Sequence, residues 1–466
     1  MSSQEARNAS SHIALGNGFP FLIEDEDRVV EWLPELSEFL RIKSISADPA
    51  HEDDVKRAGE WVCARVREAG GGCELVEWHG QPLAIGEIRA SGGGDAPTVL
   101  CYGHFDVAPP DPLELWESDP FEPEIRGDYL YGRGTVDDKG PLYMLLAAAR
   151  ELAQAGDLPV NVRFCCDGEE ETVGHSIVEF LEQDSRGADA AIIFDTEMIR
   201  RDVPAFNIAT RGVISLHITL RTGKRDLHSG YYGGAALNAA HALIETLDAL
   251  IARDGLLVEP LRAGIVPATE QELAGWAMLP AGSSALADEG ARPTDVRAAE
   301  DFYVRTFAES TFEVTGLQTG SPLVPRTVIP VEAMANVSLR LAPGQKAEEI
   351  TPVVERLLRE AAPAGAELQV ALLSSAEPGL VSPDEKAIQL GLDAFERGLG
   401  VRPALIRTGG TLPIVPALTG KGIPTVITGF GLPESQIHSP NERLVADYVP
   451  LGIATARELF LAFAEL

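Results

Sequence analysis

The sequence contains few cysteines, and they show no pattern. The five cysteines among 466 residues lie at Cys63, Cys73, Cys101, Cys165 and Cys166. This spacing resembles neither a disulfide framework nor a cysteine zinc site. We therefore interpret all five as reduced thiols that pack in the interior.

Positive charge is also scarce. Lysine and arginine number 38 against 71 aspartates and glutamates, which gives a formal net charge of −33. Nucleic acids and anionic membranes are bound through basic patches, so this balance argues against both as partners. A solvated acidic surface explains most of the carboxylates.

Long apolar runs are missing as well. No apolar run reaches the roughly 20 residues that a membrane-spanning helix needs. The N-terminal sequence MSSQEARNAS lacks the apolar segment of a secretory signal. These absences predict a cytoplasmic protein.

The order of helix-like and strand-like segments indicates the fold, and the length predicts more than one domain. Helical periodicity occurs at 27–42, 53–69, 141–154 and 176–183, and strand-like apolar runs occur at 73–78, 83–88, 98–102, 160–166 and 190–194. Alternation of this kind predicts an α/β fold, with a mostly parallel sheet covered by helices on both faces.

The pattern changes after residue 208. Strand-like segments at 212–221, 331–341 and 367–373 alternate with helical segments at 235–251 and 348–361, while 225–234 resembles a loop and 255–325 shows no clear period. The order strand–helix–strand–helix–strand predicts a small inserted α+β domain. The α/β pattern resumes with helices at 384–399 and 447–466 and strands at 404–406 and 424–428. We therefore predict a first domain formed by 1–209 and 379–466, and an inserted domain at 210–378.

Acidic and imidazole side chains follow several strand-like runs. His104 and Asp106 (GHFD), Glu170 and Glu171 (DGEEE) and Asp195 (IIFDT) come directly after such runs. The carboxyl ends of parallel strands meet at one edge of a sheet, so these side chains are expected to lie together. Taken singly, each has an ordinary structural explanation, such as a surface pair, a solvated acid run or a turn cap.

Two further residues extend this set. Asp137 lies in GRGTVDDKG before a predicted helix, and His438 lies in the loop QIHSPNE. Asp137 is either a plain helix cap or a carboxylate that bridges two metal ions. Together the residues supply what a two-zinc hydrolase needs: imidazole and carboxylate ligands, a bridging carboxylate and a spare carboxylate that moves a proton. In GHFD, His104 would be a ligand and Asp106 would orient it.

Three other segments carry residues suited to a substrate. Arg340 is either a half-exposed strand residue or a guanidinium that binds a carboxylate through two hydrogen bonds. RTGGTLP offers the backbone N–H groups of Gly409, Gly410 and Thr411 to an anion. His228, in RDLHSG, is either a plain loop histidine or a functional one.

With these segments in order, the chain resembles the aminoacylase, carnosinase and succinyl-diaminopimelate desuccinylase family of co-catalytic zinc hydrolases, and most of all its carnosinase-like dipeptidase branch. The resemblance rests on GHFDV, YGRGTVDDKG, DGEEE, IIFDT, KRDLHSGYYGG, the segment around Arg340, RTGGTLP and IHSPNE, which span nearly the whole chain in the family's order. It implies a catalytic domain with an inserted lid that also forms a homodimer. It further implies a cis peptide bond between Asp137 and Asp138.

The resemblance implies a set of metal ligands. Two zinc ions, or manganese or cobalt ions that accept the same ligands, would share Asp137. His104 and Asp195 would complete one site, and Glu171 and His438 the other.

The resemblance also implies the remaining roles. Glu170 would be the general base, and Asp106 would support His104. His228 would stabilise the oxyanion in the active site of the partner subunit. The free carboxylate of the substrate would be held by Arg340 and the loop Gly409, Gly410 and Thr411.

One departure concerns the acid run. The family continues from its glutamate pair almost directly to Gly-Ser, whereas EEETVGHS is longer and includes His175. We take Glu170 and Glu171 as the pair and keep Glu169 as the alternative.

The predicted activity is metal-dependent hydrolysis of an amide bond, by a dipeptidase or carboxypeptidase-type peptidase whose small substrate carries a free carboxylate. An N-acyl-amino-acid deacylase or desuccinylase is the first alternative. A metal-dependent ligand binder without catalysis is the second, although a binder has no use for the spare carboxylate of Glu170.

Overall fold

The computed structural model describes residues 31–466, apart from Val173, Arg253, Met278, Glu289 and Pro322. The N-terminal part of the predicted helix at 27–42 therefore lies outside the described residues. No helix in the described part of the chain has both the length and the apolar character needed to cross a membrane.

The first segment of the chain alternates helices and strands, as predicted. Its elements are α1 (Leu33–Leu40), α2 (Glu52–Glu68), β1 (Gly72–Trp78), β2 (Gln81–Ile88), β3 (Thr98–His104), β4 (Glu124–Arg126), β5 (Tyr129–Tyr131), α3 (Lys139–Ala155), β6 (Asn161–Asp167), α4 (Ser176–Gln183), β7 (Ala190–Ile193) and β8 (Ala205–Thr210).

The middle segment forms the inserted domain. Its elements are β9 (Gly212–Arg221), β10 (Leu227–His228), α5 (Ser229–Tyr232), α6 (Ala239–Asp248), α7 (Glu270–Trp276), α8 (Gly282–Asp288), β11 (Thr311–Thr319), β12 (Val328–Ile329), β13 (Glu332–Leu341), α9 (Ala347–Ala361) and β14 (Glu367–Ala376).

The last segment returns to the first domain. Its elements are β15 (Gly379–Leu380), α10 (Lys386–Leu399), β16 (Ala404–Arg407), α11 (Ile414–Gly420), β17 (Thr425–Ile427), β18 (Arg443–Val445) and α12 (Tyr448–Ala462).

A six-stranded sheet forms the centre of the first domain. Its strand order is β1-β2-β6-β3-β7-β17, in which β6, β3, β7 and β17 run parallel and β1 and β2 pair antiparallel at one edge. The parallel strands consist almost entirely of buried residues because helices cover them. Helices α2, α3, α12 and α10 contact one another in that order, while α4 packs with α11. The predicted α/β fold class is confirmed.

The two ends of the described chain share one hydrophobic core. Phe194 of the first segment packs edge-on against Phe395 and Phe430 of the last, with ring centroids 6.3 and 5.3 Å apart. Strand β17 completes the main sheet beside β7. The inserted domain therefore interrupts the sequence of the first domain without dividing its core.

The inserted domain has its own core beneath a four-stranded antiparallel sheet of order β11-β13-β9-β14. Along β9, Ile214, Leu216, Ile218 and Leu220 are fully buried and alternate with more exposed residues. This period-two pattern places one face of the sheet against α6 and α9.

The predicted order of elements in this domain was incomplete. The stretch 255–325 contains α7, α8 and β11, and the predicted loop at 225–234 contains β10 and α5. Strand β11 was not predicted because most of its side chains are exposed and its pairing with β13 shifts register between Val314 and Gly316. An irregular edge strand of this kind lacks an alternating apolar face.

Candidate metal centre and active site

The ends of two strands and the start of one helix meet at a cluster of imidazole and carboxylate groups. His104 ends β3, and Asp195 follows β7 by two residues. Asp137 lies just before α3. His104 Nε2 is 2.9 Å from Asp137 Oδ1 and 3.9 Å from Asp195 Oδ1, and the His104 side chain is fully buried. These three residues form the first group that could hold a metal ion.

A second group shares Asp137 with the first. His438 Nε2 lies 2.9 Å from Asp137 Oδ2 and 3.0 Å from Glu171 Oε2. Within each group, the potential ligand atoms lie no more than 4.8 Å apart. The two carboxylate oxygens of Asp137 therefore face different imidazoles, which is the arrangement that a bridging ligand requires.

The backbone around His104 is held by neighbouring acids. His104 N–H donates to Asp138 Oδ2 at 3.0 Å, and a side chain at Gly103 would lie 2.6 Å from that same oxygen. His104 Nδ1 faces Asp106, 3.2 Å from its carbonyl oxygen and 3.3 Å from Oδ1. The peptide bond between Asp137 and Asp138 is cis, as the family resemblance implied.

Asp106 also holds the turn that carries the acid run. Its Oδ1 accepts the Glu170 N–H at 3.3 Å, and its Oδ2 accepts the Glu171 N–H at 3.1 Å and the Ser46 hydroxyl at 2.6 Å. The same carboxylate thus lies between the His104 ring and the glutamate pair.

The three glutamates of the acid run point to different places. The Glu171 carboxylate belongs to the second metal group and accepts the Ala108 N–H at 2.8 Å. Glu170 lines the cleft beside both groups. Glu169 turns away, because its Oε1 accepts the Ser176 N–H at 2.9 Å, and it lies beside His175 in a separate surface depression. This geometry favours Glu170 and Glu171 over Glu169 as the functional pair.

A buried ion pair between Arg133 and Glu442 supports the loop that carries Asp137. Glu442 is fully buried, and Arg133 Nη1 donates to its Oε2 at 2.5 Å. The Glu442 carboxylate also accepts the N–H groups of Gly134 at 3.1 Å, Val136 at 3.0 Å and Asp137 at 3.3 Å. Sequence reasoning missed Glu442, because a single glutamate in a loop carries no pattern that distinguishes it from a surface residue.

The charges of the cluster favour a cation. Burial and then the charge of Asp138 raise the pKa of Asp195 well above its usual range. Burial, together with the charges of Asp137 and Glu171 and against the opposing effect of His104, raises the pKa of Glu170 to about 7. Carboxylates crowded in this way resist ionisation unless positive charge is present. Oxygen and imidazole donors of this kind suit divalent metal ions, so the residues fit the predicted centre.

Two cavities open on either side of the cluster. The first, of about 600 Å³, is called the Arg340 cavity. The second, of about 730 Å³, is called the Phe307 cavity. Glu170, Gly410, Thr411 and His438 line both, so the two cavities meet at the candidate centre.

The predicted carboxylate-binding residues come together across the two domains. Arg340, on β13, donates from Nη1 to Thr411 Oγ1 at 2.7 Å, and the Thr411 hydroxyl donates to the Arg211 carbonyl at 2.6 Å. Gly409 lines the Phe307 cavity, and its neighbour Gly410 lines both cavities. Arg211, which sequence reasoning missed, is buried next to Arg340, and burial followed by the Arg340 charge lowers its pKa to about 10.

His228 lies apart from the centre of its own chain. It is exposed at the end of β10, where its Nδ1 accepts the Gly230 N–H at 3.1 Å and its ring contacts Tyr231 at 4.8 Å. It lines neither cavity. A role for His228 within its own subunit is therefore not supported by the geometry.

The site can now be set beside known proteins. The model of peptidase family M20/M25/M40 matches residues 100–462. The chain belongs to this peptidase family.

Relatives match nearly the whole chain. The cysteinylglycine-S-conjugate dipeptidase of Corynebacterium striatum is 28% identical over 425 residues, covering 88% of this chain and 90% of its own. The β-Ala-His dipeptidase of Homo sapiens is 27% identical over 474 residues, covering 94% and 90%. Among solved structures, the M20 family metallo-carboxypeptidase Sso-CP2 from Sulfolobus solfataricus superposes with a TM-score of 0.82 at 25% identity, covering 94% of this chain and 100% of that one.

Membership of the M20/M25/M40 family confirms the resemblance and its carnosinase-like branch. It also confirms the predicted metal-dependent, dipeptidase-type peptidase, and removes the alternative of a binder without catalysis. Members of this family use divalent metal ions, and the described residues supply candidate ligands for them.

Proposed function

We propose that this M20/M25/M40 peptidase is a dinuclear dipeptidase that hydrolyses small peptides with a free carboxylate. One observation supports the proposal. One carboxylate oxygen of Asp137 faces His104 and the other faces His438, and the nearby Glu170 belongs to neither ligand group. Zinc is the proposed metal, with His104, Asp137 and Asp195 at one ion and Asp137, Glu171 and His438 at the other.

Glu170 is proposed as the general base. Its carboxylate lines the cleft between the two cavities, within reach of a substrate that bridges them. The chemistry supplied by divalent ions at the two ligand groups would be the activation of a water, through a pKa lowered towards neutrality. Glu170 would take a proton from that water and transfer it to the leaving amine.

The carboxylate of the substrate is assigned to the Arg340 cavity. Thr411 accepts a hydrogen bond from one nitrogen of Arg340 and so fixes the guanidinium plane. Burial lowers the pKa of Arg340, which means that its positive charge is less stable there than in water. A substrate carboxylate would stabilise that charge. Gly410 and Thr411 line the same cavity from the facing loop, whereas Gly409 lines only the Phe307 cavity and the Gly410 N–H already donates to Thr408 Oγ1 at 3.1 Å. Of the three predicted backbone donors, the Thr411 N–H is therefore the one proposed for the carboxylate.

The opposite cavity favours a free amine over an N-acyl group. Glu197 lines the Phe307 cavity, and its carboxylate forms no hydrogen bond or ion pair with another described residue. Arg407 also lines this cavity, but its guanidinium is already bound to Glu272. A succinyl or acyl group would therefore face unpaired carboxylate, whereas an ammonium group would be neutralised. This supports a dipeptidase over the deacylase or desuccinylase.

A matched substrate panel tests this proposal. The enzyme loaded with zinc, manganese or cobalt is assayed with free dipeptides, the same peptides after N-acetylation, and N-succinyl amino acids. We expect kcat/KM to favour free dipeptides by about 10-fold or more, because an acylated terminus cannot form the charge-assisted hydrogen bond that an ammonium group can form with Glu197. A chelator should abolish turnover, and added metal should restore it. Faster hydrolysis of the N-acyl compounds would establish the deacylase instead.

We further propose a homodimer formed through the inserted domain, in which His228 enters the active site of the partner subunit. The exposed position of His228 and its absence from the lining of both cavities support this arrangement. The cytoplasmic location also remains a proposal. It is supported by the five cysteines, which are all free thiols.

Mixing two inactive variants tests the shared site. His228→Ala and Glu170→Gln protomers should recover about a quarter of the wild-type rate after complete subunit exchange, because half of the dimers are mixed and each has one intact site. Exchange is verified with differently tagged subunits, and each variant mixed with itself is the control. Absence of recovery in verified mixed dimers would show that His228 does not act across the interface.

A further inference from the structure

We propose that the Phe307 cavity binds the side chain of the amino-terminal residue and that the enzyme prefers a bulky apolar residue there. This inference rests on the proposed dipeptidase function. It adds the substrate class, which neither the motifs nor the relatives assign to this chain.

The orientation of the substrate follows from the positions of the charged groups. Arg340 lines one cavity, and Glu197 lines the other. A dipeptide with its carboxylate at Arg340 places its scissile bond beside Glu170, where the cavities meet. Its amino-terminal residue then extends into the Phe307 cavity, with the ammonium group near Glu197.

The wall of this cavity is mostly apolar and aromatic. The inserted domain contributes a set of non-polar or weakly polar side chains from the stretch that showed no sequence period: Leu279, Pro280, Ala285, Phe302, Tyr303 and Phe307. The first domain contributes Met198, Ile199, Leu412 and Ile437 from the opposite side. Pockets that bind apolar groups have this composition, with a few polar groups that fix orientation.

The aromatic wall is anchored to the first domain by a buried ion pair. Arg407 on β16 donates to both oxygens of Glu272 on α7, at 2.6 and 3.1 Å, and both residues are buried. Trp276, on the same helix, packs edge-on against Phe307 with ring centroids 5.4 Å apart. The Tyr303 hydroxyl donates to the Pro280 carbonyl at 2.7 Å. These contacts connect the aromatic wall to the first domain without any contribution from a bound substrate.

The size of the cavity fits the proposed side chain. Its volume of about 730 Å³ leaves room for a leucine or phenylalanine side chain beside the peptide. Each apolar group that the substrate buries in such a pocket increases the preference for that substrate over a smaller one. A single methylene changes kcat/KM by roughly 10- to 200-fold. A substrate with glycine as its amino-terminal residue would make no side-chain contact with the aromatic wall.

The test compares X-Gly dipeptides in which X is glycine, alanine, leucine or phenylalanine. We expect kcat/KM for Leu-Gly and Phe-Gly to exceed that for Gly-Gly by about 10-fold or more. Phe307→Ala should lower kcat/KM for Phe-Gly about 10-fold more than for Gly-Gly. Ala285→Trp, which fills the cavity without removing the wall, should likewise penalise Phe-Gly more than Gly-Gly. Val296→Ala is the matched control, since Val296 belongs to the same segment and is 95% exposed.

The outcomes separate this inference from the function on which it rests. Hydrolysis of all four dipeptides at similar kcat/KM, or equal losses on every substrate in both cavity variants, would overturn the apolar subsite and leave the dipeptidase intact. Failure of the wild-type enzyme to hydrolyse any dipeptide, while it hydrolyses N-acyl amino acids, would overturn the proposed function itself.

Discussion

Replacing Glu170 with glutamine is expected to lower kcat by about 10²- to 10⁴-fold, which is the usual contribution of a general base. Glutamine has nearly the same shape but cannot accept the proton of the attacking water. Glu170 belongs to neither ligand group, so the variant should bind as much metal as the wild type. The measurements are kcat on a dipeptide and metal content by elemental analysis.

Glu169→Gln is the matched control for this prediction. Glu169 is the neighbouring acid, but its carboxylate accepts the Ser176 N–H and lies outside both cavities. Glutamine can still accept that hydrogen bond, so turnover should remain close to the wild-type value. If Glu169→Gln abolished turnover and Glu170→Gln did not, the two assignments would have to be exchanged.

Replacing Glu442 with alanine is expected to reduce the free energy of unfolding by about 3–5 kcal/mol, because removal of one partner leaves the buried Arg133 charge uncompensated. The N–H groups of Gly134 and Val136 lose their acceptor at the same time. Because these groups hold the loop that ends at Asp137, metal affinity should fall as well. Denaturant unfolding and competitive metal titration measure the two effects.

Two comparisons make this prediction specific. Glu458→Ala breaks the exposed pair with Arg397 and should cost less than about 1 kcal/mol. The double variant Arg133→Met, Glu442→Leu removes both buried charges, so it should recover much of the lost stability without recovering metal affinity. Unchanged metal affinity in Glu442→Ala would mean that Glu442 stabilises the fold but does not position Asp137.

Local periodicity predicted the elements whose burial is regular. Strand β9 and helix α4 have the predicted bounds of 212–221 and 176–183, because each presents a consistent apolar face to a core. Strand β11 and helices α7 and α8 were not predicted. They are short or mostly exposed, and their positions depend on contacts between distant residues, such as the pair formed by Arg407 and Glu272.

The sequence predicted those site residues that follow a strand-like run or belong to a short motif. His104 and Asp195 follow adjacent parallel strands, so their proximity follows from the sheet. The separation of Glu169 from Glu170 depends on the backbone turn at Glu170–Thr172, which composition does not reveal. The position of Glu442 depends on contacts with residues 134–137, which lie about 300 positions earlier in the sequence. Local sequence patterns do not extend over such a separation.

The candidate centre is assembled from residues on both sides of the inserted domain. His438 and Glu442 are translated only after that whole domain, and they complete a centre whose other members precede it. Residues that leave the ribosome early can fold before later ones exist. However, Asp137 lacks its second group and its loop support until the 436–442 segment has emerged. A chain that ends before His438 would therefore lack one ligand of the second group and the Glu442 support of the Asp137 loop.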